Sequence, residues 1–327
     1  TINLSKLAIA FDSKAKTSSN YRRIQRFISD SKLIDFNRVA GFVVTLFGFL
    51  DTDYYLTFDR TNWQWGKKNI NILMLAIAYK GIAIPVYWVL LNKKGNSSTR
   101  ERIALTNRFI TQFGKKRIIK FLADREFVGE KWFNWLTSES IDFAIRIKKN
   151  NLASNSRGEL VPVNSLFRHL KTGEHMILKG ARQVYKTPVF LTALRLQDGE
   201  LLIVATGISC PDAIESYGKR WQIETLFSCL KGRGFHFEDT HVTNRRRIKS
   251  LLVVLVIAFC WAHRVGEWQH ENVCAIKVKK HQRLEKSIFR LGLDTISECL
   301  FKLIQKRKIQ LNVLFLHLKI QHKKSLE

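Results

Sequence analysis

The stretch YGKRWQIETLFSCLK, from Tyr217 to Lys231, holds the side-chain types that phosphate chemistry needs. At roughly 100° per residue, one continuous helix sets Tyr217, Arg220, Glu224 and Lys231 within an arc of about 60°, with Ile223, Leu226 and Leu230 opposite. The polar front then carries a carboxylate for a divalent cation, two positive charges for phosphates and a phenol that donates a hydrogen bond. The simpler alternative is a surface helix in which Arg220 and Glu224 form an ordinary i, i+4 pair.

Two further carboxylates follow apolar runs. Asp59 lies in LTFDRTNW, expected at the end of the first core strand, and Asp124 in FLADREF, expected at the end of the fourth. A charge placed where a buried strand emerges is held rigidly at a sheet edge. With Glu224 they make three carboxylates on three elements, a set suited to two Mg²⁺ ions about 3.5–4 Å apart, since hard cations prefer oxygen ligands. Asp51, Asp53, Glu126 and Glu130 compete for the role, and simple pairing of Asp59 with Arg60 and of Asp124 with Arg125 is the alternative for each.

The framework around these residues reads as a mixed α/β pattern. The first 51 residues have helical periodicity, with Arg22, Arg23, Arg26, Lys32 and Arg38 between apolar positions. DYYLTFDR, NILMLAIAYKG and AIPVYWVLL then read as a three-stranded meander. Ser97 and Ser98 supply an N-cap for a helix that Gly114 ends. A strand, a helix and a strand follow, giving the order β-β-β-α-β-α-β. From 150 to 207 short alternating runs indicate a β-rich insertion. Helix returns at Pro211 and leads into the Tyr217 stretch, Leu251 to Ala262 reads as a buried helix, and the tail from about Lys277 reads as helical and basic.

Composition narrows the partner. The 327 residues carry 55 Lys and Arg against 27 Asp and Glu, a net charge of +28. Cations spread along the whole chain point to nucleic acid before a membrane surface. Five scattered cysteines without a CxxC spacing suit reduced thiols in the cytosol, and Cys260 with His263 lacks the second pair that a zinc finger needs. Neither apolar run, Leu251–Ala262 nor the one from Ile70 to Leu91, reads as a membrane span. No Walker loop, HExxH, GxSxG or GxGxxG is present. The chain starts at Thr1 and not at methionine, so residues upstream are allowed for.

LTFDRTNW, FLADREFVGEKWF and YGKRWQIETLFSCLKGRGFHFEDTH together resemble the DDE transposases of bacterial insertion sequences that carry the Tyr-Arg-Glu-Lys signature, the IS-four family. The resemblance covers about Leu33 to Leu293. It implies an RNase H-like mixed-sheet core in two parts, 52–149 and 208–275, a β-rich insertion at 150–207, a basic helical DNA-binding region at 1–51 and a basic helical region at 276–327.

It further implies Asp59, Asp124 and Glu224 as catalytic metal ligands for two Mg²⁺, with Mn²⁺ as a substitute. Tyr217, Arg220 and Lys231 would hold terminal phosphates. Beside them Trp221 reads as a surface for a base or as a core-packing ring, and the charge run Arg245, Arg246 and Arg247 reads as contacts to the DNA backbone or as solvated charge. The implied partners are the element's terminal inverted repeats and target DNA, bound by a homodimer on paired ends in the bacterial cytoplasm, at the nucleoid. Within Ile145–Thr206 the large aromatics are Phe167, Tyr185 and Phe190, with no tryptophan to hold a flipped base on a hairpin route. A nuclease without strand transfer and a catalytically inactive DNA-binding relic or repressor are the alternative functions.

Overall fold

The computed structural model describes residues 3–11, 13–29, 34–280 and 282–304, with side chains as far as residue 300. Lys32 and residues 305–327 of the expected basic tail lie outside the described residues. The chain opens with α1 (Leu4–Ile9), α2 (Thr17–Ser29) and α3 (Phe36–Leu46). Next come β1 (Tyr54–Trp65), β2 (Lys68–Tyr79), β3 (Ile82–Leu90), α4 (Thr99–Phe113), β4 (Ile118–Ala123), α5 (Glu130–Ser138) and β5 (Phe143–Ile147). The strand-rich stretch holds β6 (Leu152–Ser154), β7 (Leu160–Pro162), β8 (His175–Ile177), β9 (Arg182–Val184), β10 (Thr187–Arg195) and β11 (Leu201–Thr206). Then follow α6 (Ala213–Gly218), α7 (Gln222–Leu230), α8 (Arg245–Asn272) and α9 (Ile288–Ile304).

The chain divides into two compact units, one of residues Asp51–Leu226 and one of the residues up to Leu50 with those from Phe227 on. In the first unit the described residues form one mixed sheet in the order β3-β2-β1-β4-β5-β11-β10-β9-β6-β7, with β8 beside β10. β1, β2 and β3 are antiparallel neighbours, whereas β4 runs parallel to β1 and to β5. Lys80 and Gly81, both at positive φ, make the two-residue turn between β2 and β3, a conformation that matches strand twist. Pro85 is tolerated because β3 is the edge strand and its register shifts opposite Ala76.

Both faces of this sheet are covered. On one, Phe58 and Phe121 meet edge to face at 4.8 Å and pack on Trp132 of α5, and Phe133 stacks on Phe143. On the other, Ala213 and Tyr217 of α6 pack on Leu122, Ala144 and Val204. The Ser98 side chain caps α4 in a reciprocal box with Glu101, and Gly114 at φ 73 ends it, as its sequence signals.

The stretch at 150–207 is strand-rich, and its last strand joins the core sheet, because β11 pairs antiparallel with β5. Three expectations change. Helix in the tail starts at Ile288: the basic run before it is a loop closed by a Val278–Leu284 bridge. The other two concern Asp59 and the Tyr217 stretch and are described with the site.

In the helical unit α8 is long and apolar enough to span a bilayer by length and composition, but most of it is buried. It packs against α9 so closely that a Cβ on Gly292 would lie 1.7 Å from the Ala262 carbonyl oxygen. Only glycine permits that approach.

Candidate active site

Strand register brings the two aspartates together. β1 and β4 pair as Leu56 with Phe121 and Thr57 with Leu122. Carried two residues on, that parallel register brings Asp59 of β1 level with Asp124, the residue just past the end of β4. Both lie on the face that α6 covers, since side chains two residues apart share a face. Asp124 directly follows β4, as expected. Asp59 does not end its strand: β1 continues to Trp65, because its partner β2 is just as long.

Each carboxylate accepts from the next backbone N–H, Arg60 to Asp59 and Arg125 to Asp124, both at 2.7 Å. The side chains of Arg60 and Arg125 are not the partners. Arg60 points to the other face and holds Glu126 in a two-pronged pair, 2.9 Å from each nitrogen. Buried Arg102 donates to the Glu126 and Ser97 carbonyls at 2.8 Å each, and the Phe127 N–H closes a turn onto the Asp124 carbonyl at 2.9 Å. Two arginines thus fix the loop that carries Asp124. From sequence, Glu126 was visible only as a rival carboxylate.

The third element is not one helix. α6 ends at Gly218, a 3₁₀ turn covers Lys219–Trp221, and α7 starts at Gln222. The continuous arc is therefore broken, yet Tyr217, Arg220 and Glu224 still meet. The Arg220 guanidinium, 3% exposed, donates to Glu224 at 2.8 Å, to the Tyr217 hydroxyl at 3.2 Å and, more weakly, to Asp59 at 3.5 Å. The Tyr217 hydroxyl reaches Asp124 at 3.3 Å. Trp221 is 56% exposed, and the guanidinium carbon lies 4.8 Å from its ring centre.

Burial sets the electrostatics. It raises the Asp59 carboxyl to about 7; the Arg60 N–H and Arg220 work against the rise, while Glu126 and Glu224 add to it. Burial also pushes the Tyr217 phenol up to about 12, so it stays a hydrogen-bond donor at neutral pH. Burial opposes the charge on Arg220, but Tyr217, Glu224, Asp124 and Asp59 together raise its pKa above the ordinary arginine value.

The carboxylate oxygens of Asp59, Asp124 and Glu224 are donors of the kind a hard divalent cation prefers. As it stands, no group of three His, Cys, Asp or Glu among the described residues is placed to hold one. Arg220 joins Asp59 to Glu224 in that place. Lys231, Arg245, Arg246 and Arg247 belong to the helical unit. Lys231 follows α7 and pairs with Glu238 at 3.6 Å. The three arginines open α8, where Arg247 donates to the Ser29 hydroxyl at 2.8 Å. Cations at a helix N-terminus oppose its dipole.

A family model described as "Transposase DDE domain" matches residues 22–261, which include all three acids. The chain belongs to the transposase DDE domain family. Its members are polynucleotidyl transferases or nucleases that bind DNA and use divalent metal ions. No curated protein matches the chain. Among solved structures it is similar to a cryo-EM structure of the piggyBac transposase synaptic complex with hairpin DNA, at 11% identity and a TM-score of 0.40. That match covers 82% of this chain, which spans 57% of the piggyBac chain. A protein of unknown function from Archaeoglobus fulgidus DSM 4304 matches at 12% identity and a TM-score of 0.24, covering 63% of this chain and 98% of that one.

Proposed function

We propose that this member of the family is the transposase of an insertion sequence, cutting DNA at the element's terminal inverted repeats and joining the freed 3′-ends to target DNA. The observation that carries the reading is the convergence of Asp59, Asp124 and Glu224, from β1, the end of β4 and α7, on the Tyr217–Arg220 pair. An antiparallel β1-β2-β3 meander with β4 and β5 added in parallel supports an RNase H-like core. In this reading 150–207 is an insertion before the third acid, and the basic regions 1–51 and 276–327 serve end recognition and assembly of a homodimer on paired ends. The placement is cytoplasmic, at the nucleoid.

Asp59, Asp124 and Glu224 would hold Mg²⁺, or Mn²⁺ in its place, which would supply charge to activate a water or 3′-hydroxyl and to stabilise the leaving oxygen. The protein's own groups do the positioning. Tyr217 holds Asp124 by its hydroxyl and Arg220 by the same oxygen. Arg220, always charged and planar, grips a phosphate in two places once it turns from Glu224. Trp221 presents its indole to a base, and Lys231 completes the Tyr-Arg-Glu-Lys set. Arg245, Arg246 and Arg247, whose charges oppose the dipole of α8 at its start, take backbone phosphates.

The test is a plasmid carrying the element's two ends, incubated with Mg²⁺. Glu224→Gln and Asp124→Asn abolish strand cleavage while binding to the ends persists; cleavage at wild-type rate by either variant overturns the assignment. Pre-cut ends separate a transposase, which joins them to a second plasmid, from a nuclease, which does not. A DNA-binding protein without catalysis is the second reading, favoured by the placement of Arg220 between two of the acids. It predicts bound ends and no nicking with Mg²⁺ or Mn²⁺.

A further inference from the structure

The register that aligns Asp59 with Asp124 continues one strand further. β4 and β5 pair as Leu122 with Ala144 and Ala123 with Ile145, so Arg146 stands level with Asp124 on the other side. Asp59, Asp124 and Arg146 thus form a row across three adjacent strands on one face. From this row a cleft of about 680 Å³ opens, lined by the cations Arg125, Arg146, Lys148, Lys149, Arg168 and Arg195 against one carboxylate, Glu200. Such an excess is costly unless an anion shares the space.

The cleft is also held in shape. Lys148 and Lys149 sit on a turn whose Asn151 accepts the Lys148 N–H at 2.9 Å and returns its own N–H to the Lys148 carbonyl at 3.0 Å. The Asn164 N–H fastens the Lys149 carbonyl at 3.0 Å. Arg195 is fixed by the Leu170 carbonyl at 2.7 Å and the Gly199 carbonyl at 3.2 Å, and Arg146 by Glu200. Neither lysine ammonium has an ion pair among the described residues, and both side chains are exposed. Six cations spread over several elements suit a polymer of phosphates better than one compact anion, for which two or three would converge.

We propose that this cleft takes the phosphodiester backbone of the DNA strand running away from the scissile phosphate, starting beside Asp124 at Arg125 and Arg146. It rests on the proposed function for the identity of that strand, but its test does not depend on cleavage.

The test uses the full chain, a mixed-sequence single-stranded oligonucleotide as probe, and KCl titrations of affinity. Replacing Lys148, Lys149 and Arg168 by alanine lowers the slope of log K against log[KCl] by roughly 2, at about 0.7 for each phosphate no longer neutralised. Replacing Lys171 and Lys179, exposed cations of the same unit outside the cleft, leaves it as in wild type. A methylphosphonate walked along the probe weakens wild-type binding at the contacted positions, and in the triple variant it weakens it no further. An unchanged slope in a triple variant with wild-type melting, an equal change in the control, or additive effects of methylphosphonate and triple variant each overturn the proposal. If wild type binds this way yet never nicks plasmid DNA with Mg²⁺, the proposed function falls and the cleft stands.

Discussion

Asp59→Asn is expected to make the metal-free protein more stable, by an amount that grows with pH. Burial raises the Asp59 carboxyl from an ordinary 3.8 to about 7, and its side chain is 17% exposed. The folded state therefore holds the Asp59 proton more tightly than the unfolded chain does. Stability is lost as pH rises from the unfolded value through the folded one, and the loss is complete above about 7. At 1.36 kcal/mol per unit of difference, the loss is about 2 kcal/mol at pH 5, where only the unfolded chain is ionised at this residue, and about 4 kcal/mol at pH 8, where the folded protein is ionised there too. Asparagine keeps an oxygen for the Arg60 N–H and carries no charge, so it removes that cost.

Urea unfolding in EDTA, followed by tryptophan emission, reads the difference, since Trp132 is fully buried beside Phe58 on β1. The expected result is a variant that exceeds wild type by more at pH 8 than at pH 5 and shows no Mg²⁺-dependent cleavage at either. A stability gap equal at the two pH values refutes the reasoning, because it leaves the raised carboxyl without a role in folding.

Tyr217→Phe removes one oxygen that serves both Asp124 and Arg220, and should slow cleavage about 10-fold or more, from ~1.5 kcal/mol of lost positioning; timed nicking under saturating DNA checks this, with equal rates counting against it. Glu126→Ala leaves Arg60 largely buried without its carboxylate and should destabilise the protein by roughly 3 kcal/mol, read as a lower urea midpoint together with slower nicking. Gly292→Ala forces α8 and α9 apart, since its Cβ would lie 1.7 Å from the Ala262 oxygen and 2.5 Å from the Gly266 nitrogen. A loss of about 3 kcal/mol should appear as a lower melting temperature, and an unchanged one would show that the two helices are not packed this closely.

Much of the site was legible because it is written in short-range signals. An apolar run that stops at an aspartate marked Asp124, and the capping box at Ser98 with Gly114 bounded α4. The partners of the arginines were not legible. Adjacent residues on a strand point to opposite faces, so Arg60 cannot turn its side chain to Asp59 and meets Glu126, 66 residues away in the chain. The break at Lys219–Trp221 carries no proline, and only Gly218 precedes it. A helix drawn straight through this region looked equally good by periodicity. Arg146, a charge inside an otherwise apolar strand, was a signal in its own right: such a residue needs a partner or a solvent-facing end, and here it meets Glu200 at the cleft.

Arg220 shows how two of these acids are held near one another. Carboxylates brought together in a partly buried place repel one another and lose hydration, so the fold must supply positive charge from within. The guanidinium does so for Glu224, which is 42% exposed and held at 2.8 Å. It does less for Asp59, more deeply buried and met only at 3.5 Å. Were Arg220 a full counter-charge to the site, it would pull the Asp59 carboxyl below its ordinary value; instead the carboxyl stands near 7. The positive charge that Arg220 provides is thus enough to pair with Glu224 and too little to offset the burial of Asp59.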